Sequence, residues 1–323
     1  MRKRVTQALV VALVIVFEAR AVLAAAQAPS NADQAENARP PQPSKRRPPP
    51  LFPRHGRGLY RNASGKEVID ATPQSPPLVT DDPAVPDDGQ YEINLLARVD
   101  YTRIEQRLDL LTVDANYGMR PRISGARLPI QLKMEVPLSA VRATDMPFTV
   151  GAGIAVAGVK VNFYDDERRG LSFSFYPQLE FPTPGGRGVK KGLVDPGKTV
   201  VLPLLVGREF HTFTCVFNAA LETPLQAPAR HTTAELGAAI GRALTRKDAA
   251  MIEIRTDSSL DFQRDRLVFV NGGIIHGVRR IIAYASVGHS IGSSDGTGHA
   301  YAGFGIKLQI DTKKRATGST GQR

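Results

Sequence analysis

The sequence predicts an all-β fold: an antiparallel transmembrane β-barrel of about twelve strands, behind a disordered, proline-rich N-terminal arm. Three observations carry that expectation. From residue 89 to residue 311, apolar and polar side chains alternate with a period of two, segment after segment. The chain opens with the pattern of an export signal. The links between segments tend to alternate between short and long, as in membrane barrels with short periplasmic turns and longer outer loops.

The export signal spans 1–28. Arg2-Lys3-Arg4 forms a basic n-region and Ala8–Phe17 an apolar stretch too short to span a bilayer, closed early by Glu18 and Arg20. Small-residue cleavage sites follow at Val22-Leu23-Ala24 and Ala26-Gln27-Ala28. No run of about twenty apolar residues occurs anywhere, so a spanning helix is not expected. One cysteine, Cys215, rules out an intramolecular disulfide and is read as a packing residue.

Residues 29–88 form the arm and its lead-in. ARPPQPSKRRPPPLFPRHGR (38–57) cannot build a core, and its prolines remove backbone donors. Charge is concentrated here and at the termini. Arg2–Arg4, residues 37–66 and the tail 312–323 carry +15 of a total of +11, leaving the remainder at −4. A nucleic-acid partner is therefore not expected. The exported basic arm suits lipid headgroups or an anionic envelope polymer, or it is a solvated linker. It is also long enough to reach back into the lumen as a plug. TPQSPPLVTDDPAVPDDG (72–89) is dense in turn formers and runs into the first strand.

The clearest strand is Leu128–Leu138. Leu128, Ile130, Leu132, Met134, Val136 and Leu138 share one face; Gln131, Lys133 and Glu135 lie on the other. The same alternation places strands at Gln90–Asp100, Leu108–Gly118, Gly151–Phe163, Leu171–Phe181 and Thr199–Gly207. It continues through His211–Glu222, Thr232–Leu244, Ala249–Asp257, Arg264–Gly273, Arg279–Ser290 and His299–Ile310. Leu96 breaks the polar face of the first strand, and Pro177 and Pro203 each delete a ladder donor inside a strand. Gly237 and Gly241 argue against reading 234–244 as a helix. SAVRATDMPFTV (139–150) and PTPGGRGVKKGLVDPGK (182–198) are expected to be long links.

Alternation alone fits a soluble sandwich as well as a barrel. In a barrel the polar face lines a wet lumen, and Gln131, Lys133, Glu135, Lys160, Glu180, Glu253 and Lys307 become the candidate lumen-lining residues. Ile130, Leu132, Met134 and Val136 would then meet lipid.

VDANYG (113–118), LPIQLKMEVPL (128–138), GVKVNFYDDE (158–167), FSFYPQLEFP (173–182) and LPLLVGREF (202–210) resemble the transporter barrels grouped as the phenol-degradation MetA-pathway family of Gram-negative bacteria. DDPAVPDDGQYEINL (81–95) resembles that family's entry into its first strand. The resemblance covers roughly 79–310. It implies an outer-membrane barrel moving small organic or aromatic compounds, and it brings no catalytic residues. The basic tail 312–323 departs from the aromatic end usual in outer-membrane barrels.

Little else suggests chemistry. His55, His211, His231, His276, His289 and His299 lack metal-ligand spacing, and no cofactor is expected. Gly151-Ala152-Gly153 with Gly158 lacks the strand-then-helix context of a dinucleotide loop. His289-Ser290 with Ser293-Ser294-Asp295 hints at an outer-membrane phospholipase, but Gly292, Gly296 and Gly298 mark a loop there. The expected function is therefore a channel or transporter for small organic solutes and not an enzyme. A non-transporting surface barrel tethering the envelope through its arm, and a secreted soluble β-protein, are the alternatives.

Overall fold

The computed structural model describes residues 59–61 and 67–312, apart from 124, 144–145, 167–168, 186, 211–212, 226–230, 261–265, 279–280 and 294–297. The expected export signal at 1–28, most of the expected basic arm and residues 313–323 lie outside the described residues.

The strands are, in order, β1 (Leu59–Arg61), β2 (Glu67–Ile69), β3 (Gln90–Thr102), β4 (Glu105–Met119), β5 (Arg122–Ile123), β6 (Ala126–Arg127), β7 (Ile130–Ala143), β8 (Met146–Ala152) and β9 (Ile154–Asp166). There follow β10 (Leu171–Phe175), β11 (Gln178–Pro182), β12 (Thr199–Glu209), β13 (Thr214–Pro224), β14 (Thr233–Ala243), β15 (Asp248–Ser259), β16 (Leu267–Val278), β17 (Ile281–Ser293) and β18 (His299–Asp311). β1–β2 and β5–β6 are small separate hairpins. The other fourteen strands form one antiparallel sheet.

They make twelve staves, because β8 continues into β9 and β10 into β11. β18 pairs with β3 along its whole length, and this closes the ring. Each predicted strand corresponds to one stave. The seventh begins at Thr214 instead of His211, which lies outside the described residues.

Both stave breaks face a proline. Gly153 N–H, between β8 and β9, donates to Pro137 O at 2.9 Å, and Tyr176 N–H, between β10 and β11, donates to Pro203 O at 3.0 Å. An antiparallel pair at such a position exchanges two bonds, and proline cannot return the second. The ladder therefore stops on the neighbouring stave, opposite the missing donor. Pro177 sits at the same break, so two of the puzzling prolines share one interruption.

The wall is inverted relative to a soluble sandwich. Met134 (48 % exposed), Ile252, Ile254 and Phe304 point outwards, whereas Lys160 (2 %), Lys307 and Glu253 (1 %) point inwards. Staves of 11 to 15 residues, such as β12 and β4, suffice to cross a hydrocarbon layer as tilted strands. Leu132, Met134 and Val136 lie on this outer face, as the period-two reading expects. Ile254 lies midway along β15 and faces out. Ile254→Arg is expected to destabilise the barrel by about 2–4 kcal/mol in lipid vesicles, read from its unfolding midpoint in denaturant.

One expected link is absent. Residues 139–150 are mostly strand, since β7 runs to Ala143 and β8 starts at Met146. Alternation fails there because Ala140 and Val141 are both buried, Val141 against Leu193 and Val194 of the connection 183–198. The loop parity is correspondingly partial. At the end opposite Gln90, the connections 103–104 and 144–145 are as tight as any at the Gln90 end, while 183–198 is long.

Candidate functional site: the lumen and its strap

The lead-in to β3 occupies the lumen. Residues 70–89, here called the strap, pass from the inner faces of β14–β17 across to β9, β10 and β4. Ile69, Ala71 and Leu78 are buried in a cluster with Ala239, Met251, Ile275, Ile282 and Tyr284. This patch of inner wall is apolar because the strap covers it. Leu96, the exception on the first strand, packs against the same cluster. The glycines read as helix breakers have a different use. A Cβ on Gly241 would overlap the carbonyl oxygen of Ala71, and one on Gly237 would lie 2.5 Å from Thr80 Oγ1. They leave room for the strap to lie against β14.

Beyond Leu78 polar contacts predominate, although Val85 is as buried as Leu78. Glu253 Oε2 accepts the N–H groups of Val79 at 3.0 Å and Thr80 at 2.6 Å, while Asn271 Nδ2 donates to Glu253 Oε1. Lys160 Nζ lies 2.7 Å from Asp81 Oδ2 and donates to Asp82 O at 2.9 Å; its ammonium also stands 4.8 Å from the Tyr176 ring centroid. Asn162 Nδ2 donates to Pro83 O at 3.0 Å, and Ser174 Oγ bonds the same oxygen. With its amide oriented to satisfy both atoms, Asn218 brackets the Asp81 backbone at 2.9 and 2.7 Å. Lys307 bridges Glu92 of the wall (2.8 Å) and Gln74 of the strap. A buried ammonium or carboxylate is tolerated only when paired in this manner.

The candidate lumen residues all face inwards, in three groups. Lys160, Glu253 and Lys307 hold the strap. Gln131, Lys133 and Glu135 belong to a network within the wall: Gln131 Nε2 donates to Asn116 Oδ1 at 2.7 Å, and Lys133 Nζ lies 2.9 Å from Glu135 and 3.7 Å from Asp114. Asp114 also accepts from Asn94 and Asn116. Glu180 stands apart, towards the end opposite Gln90. There it lines a cavity of about 320 Å³ with Glu222, Arg107, Val141, Ile154 and Leu193, under the connection 183–198. Between strap and wall, by contrast, lies a smaller space of about 70 Å³, bounded by Gln74, Asp81, Asp82, Lys133, Tyr176 and Lys307. That is room for a few waters.

Asp82 carries a pH dependence. Burial pushes its carboxyl up to about 7, against the lowering pull of Lys160; Asp81 and Asp70 on the strap raise it, and Lys307 on β18 lowers it. Glu92, Asp114 and Lys133 line the same space. A carboxyl that holds its proton more tightly in the docked strap than in water favours docking in acid. The advantage is complete below the ordinary carboxylate range and is lost as pH rises through about 7. A spin label on residue 84, replacing Ala84, is expected to be more mobile at pH 8 than at pH 5.

Sequence reasoning missed Asp81, Asp82 and Gln74, whose partners are distant in sequence, as well as the inward Asn162, Ser174, Asn218 and Asn271. The Asp81-Asp82 pair was visible as a charge run within a turn-rich stretch, but nothing local linked it to Lys160. The Ser–His reading gains no support. Ser290 Oγ accepts the His299 N–H at 2.8 Å, and Ser294 and Asp295 lie outside the described residues.

The fold is that of bacterial outer-membrane barrels. An outer-membrane channel of Pseudomonas putida F1 superposes with a TM-score of 0.56 over 70% of this chain and 97% of its own, at 9% identity. The NanC porin (TM-score 0.45, 5% identity, 68% and 100% covered) and the KdgM porin (0.41, 8%, 67% and 98%) are more distant. No protein-family profile matches the sequence, and no curated protein matches it.

Proposed function

We propose that the protein is an outer-membrane channel of a Gram-negative bacterium that passes small organic solutes, aromatic compounds among them. The observation that supports this best is the inverted wall: among the described residues an apolar exterior surrounds a charged, hydrogen-bonded interior, and the β18–β3 pairing closes the ring. The export signal at 1–28 fits the location, and the family resemblance supplies the solute class. Outer-membrane lipid is then the partner of the wall, and an anionic envelope polymer the partner of the basic arm.

Gel migration of the unboiled and boiled membrane fraction tests the location, since a barrel still folded in detergent migrates differently from the denatured chain. Liposome swelling with small neutral, aromatic and charged solutes tests permeation. Swelling no faster than in protein-free liposomes, with or without the strap, would favour a structural barrel tethering the envelope. That second reading draws on the strap, which occupies part of the lumen and has a water-sized space beside it.

A further inference from the structure

We propose that the strap is a gate with a fixed half and a moving half. Residues 69–78 stay on the wall while Val79–Pro86 lift off it to let solute pass, and Glu253 is the latch between the halves. This inference rests on the channel reading.

The two halves are held by different chemistry. Ile69, Ala71 and Leu78 are 3 % exposed or less, packed on Met251, Ile275, Ile282 and Tyr284. Undocking them would expose apolar surface on both sides to water, so this half is an anchor. From Val79 onwards the polar contacts dominate, with ion pairs and hydrogen bonds to Glu253, Lys160, Asn162, Ser174 and Asn218; Val85, 3 % exposed, and the prolines Pro83 and Pro86 are the buried apolar groups of this half. Water entering an opening lumen can replace the hydrogen bonds and ion pairs, so the cost of lifting this half is mainly the exposure of Val85 and the two prolines, whereas the anchor would lose the whole cluster around Met251 and Ile275. The strap is pinned again where it enters β3, with Gly89 N–H on Gly118 O at 2.9 Å. Opening is therefore a bowing of the segment between Leu78 and Gly89. Glu253 stands where the anchor ends, and its carboxylate takes the first two N–H groups of the polar half. Movement would widen the space of about 70 Å³ beside the docked strap, which admits water but no aromatic or organic solute.

A reversible tether tests this in the full chain. A Cβ on Gly237 would lie 3.6 Å from Thr80 Cβ, a spacing that suits a disulfide. Thr80→Cys with Gly237→Cys, in a Cys215→Ser background, is expected to swell liposomes at the protein-free rate when oxidised and to regain solute flux when reduced. Glu253→Gln keeps the size of the side chain and removes its charge. It is expected to raise the open probability in planar bilayers roughly tenfold, the order one hydrogen bond to a charged group is worth.

Equal flux from the oxidised and reduced forms overturns the gate, as does an open probability in Glu253→Gln no higher than in the parent. Heat-modifiable migration of each variant shows that the barrel is folded. A protein whose strap is replaced by a flexible linker separates the two readings. If that form passes solute while the tether has no effect, the gate fails and the channel stands. If it passes nothing, the channel reading fails and the gate with it.

Discussion

Replacing residues 74–86 by a glycine–serine linker of equal length is expected to raise single-channel conductance on the order of tenfold, the difference between a small barrel filled by its own groups and one with a water-filled interior. The docked strap leaves about 70 Å³ open beside it, whereas the opposite half of the lumen already holds a cavity of about 320 Å³. Removing the strap joins these spaces along the barrel. The ring of twelve staves should survive, because its ladders run from β3 to β18 without the strap. Loss of Leu78 would open part of the apolar patch around Met251, Ile275 and Ile282, still covered by Ile69 and Ala71, so some loss of thermal stability is expected alongside the gain in conductance. Bilayer recordings at fixed salt, with heat-modifiable migration as the folding check, measure both. Unchanged conductance would mean that the strap does not limit flow.

Lys160→Met has the second largest expected effect. Lys160 is almost fully buried and faces two strap carboxylates, Asp81 at 2.7 Å and Asp82 at 3.7 Å. Removing one partner of a buried pair leaves the other charge uncompensated, which costs about 3–5 kcal/mol. Here the cost is relieved by undocking the strap, so it appears as a more accessible strap and not as an unfolded barrel. Protease cleavage near Asp81-Asp82 should accelerate while the heat-modifiable form persists. Lys133→Met is the contrast, since its partners Asp114 and Glu135 both belong to the wall; it should weaken the barrel and spare the strap. Adding Asp81→Asn and Asp82→Asn to Lys160→Met should restore part of the protection, as expected of coupled residues.

The staves were legible because lipid on one side and polar groups on the other impose period two on each strand. Leu128–Leu138 shows this directly: Leu132, Met134 and Val136 are exposed, and Gln131, next to Leu132, is buried. The pattern fails where the inside is itself apolar. Leu96, Met251 and Ile275 face the strap, and Val141 faces the connection 183–198, so both faces of those strands read as hydrophobic. A plug is among the readings of the N-terminal arm, but that the lead-in fills the lumen, and where it sits, was hidden for a different reason. Its prolines and turn formers resemble a linker, and its binding partners lie up to 233 residues away, as with Gln74 and Lys307. The inward placement of the lumen candidates was legible from alternation. Their division between strap, wall and open cavity was not, since that depends on which stave meets the strap.

The strap also bears on how the ring can close. Closure joins the first and last staves, and the Gln90 side chain meets Asp311 across 221 residues of chain. For a free chain this is a search over a long loop, and the final ladder must recover that entropy. The seat of the strap lies largely on β9 to β18, a continuous run of neighbouring staves that can exist before closure. Once Ile69 and Leu78 are seated there, Gln90 is only a short stretch of chain from its place beside β18. The search for the last seam is then local, and the segment that fills the finished lumen has also brought its two edges together.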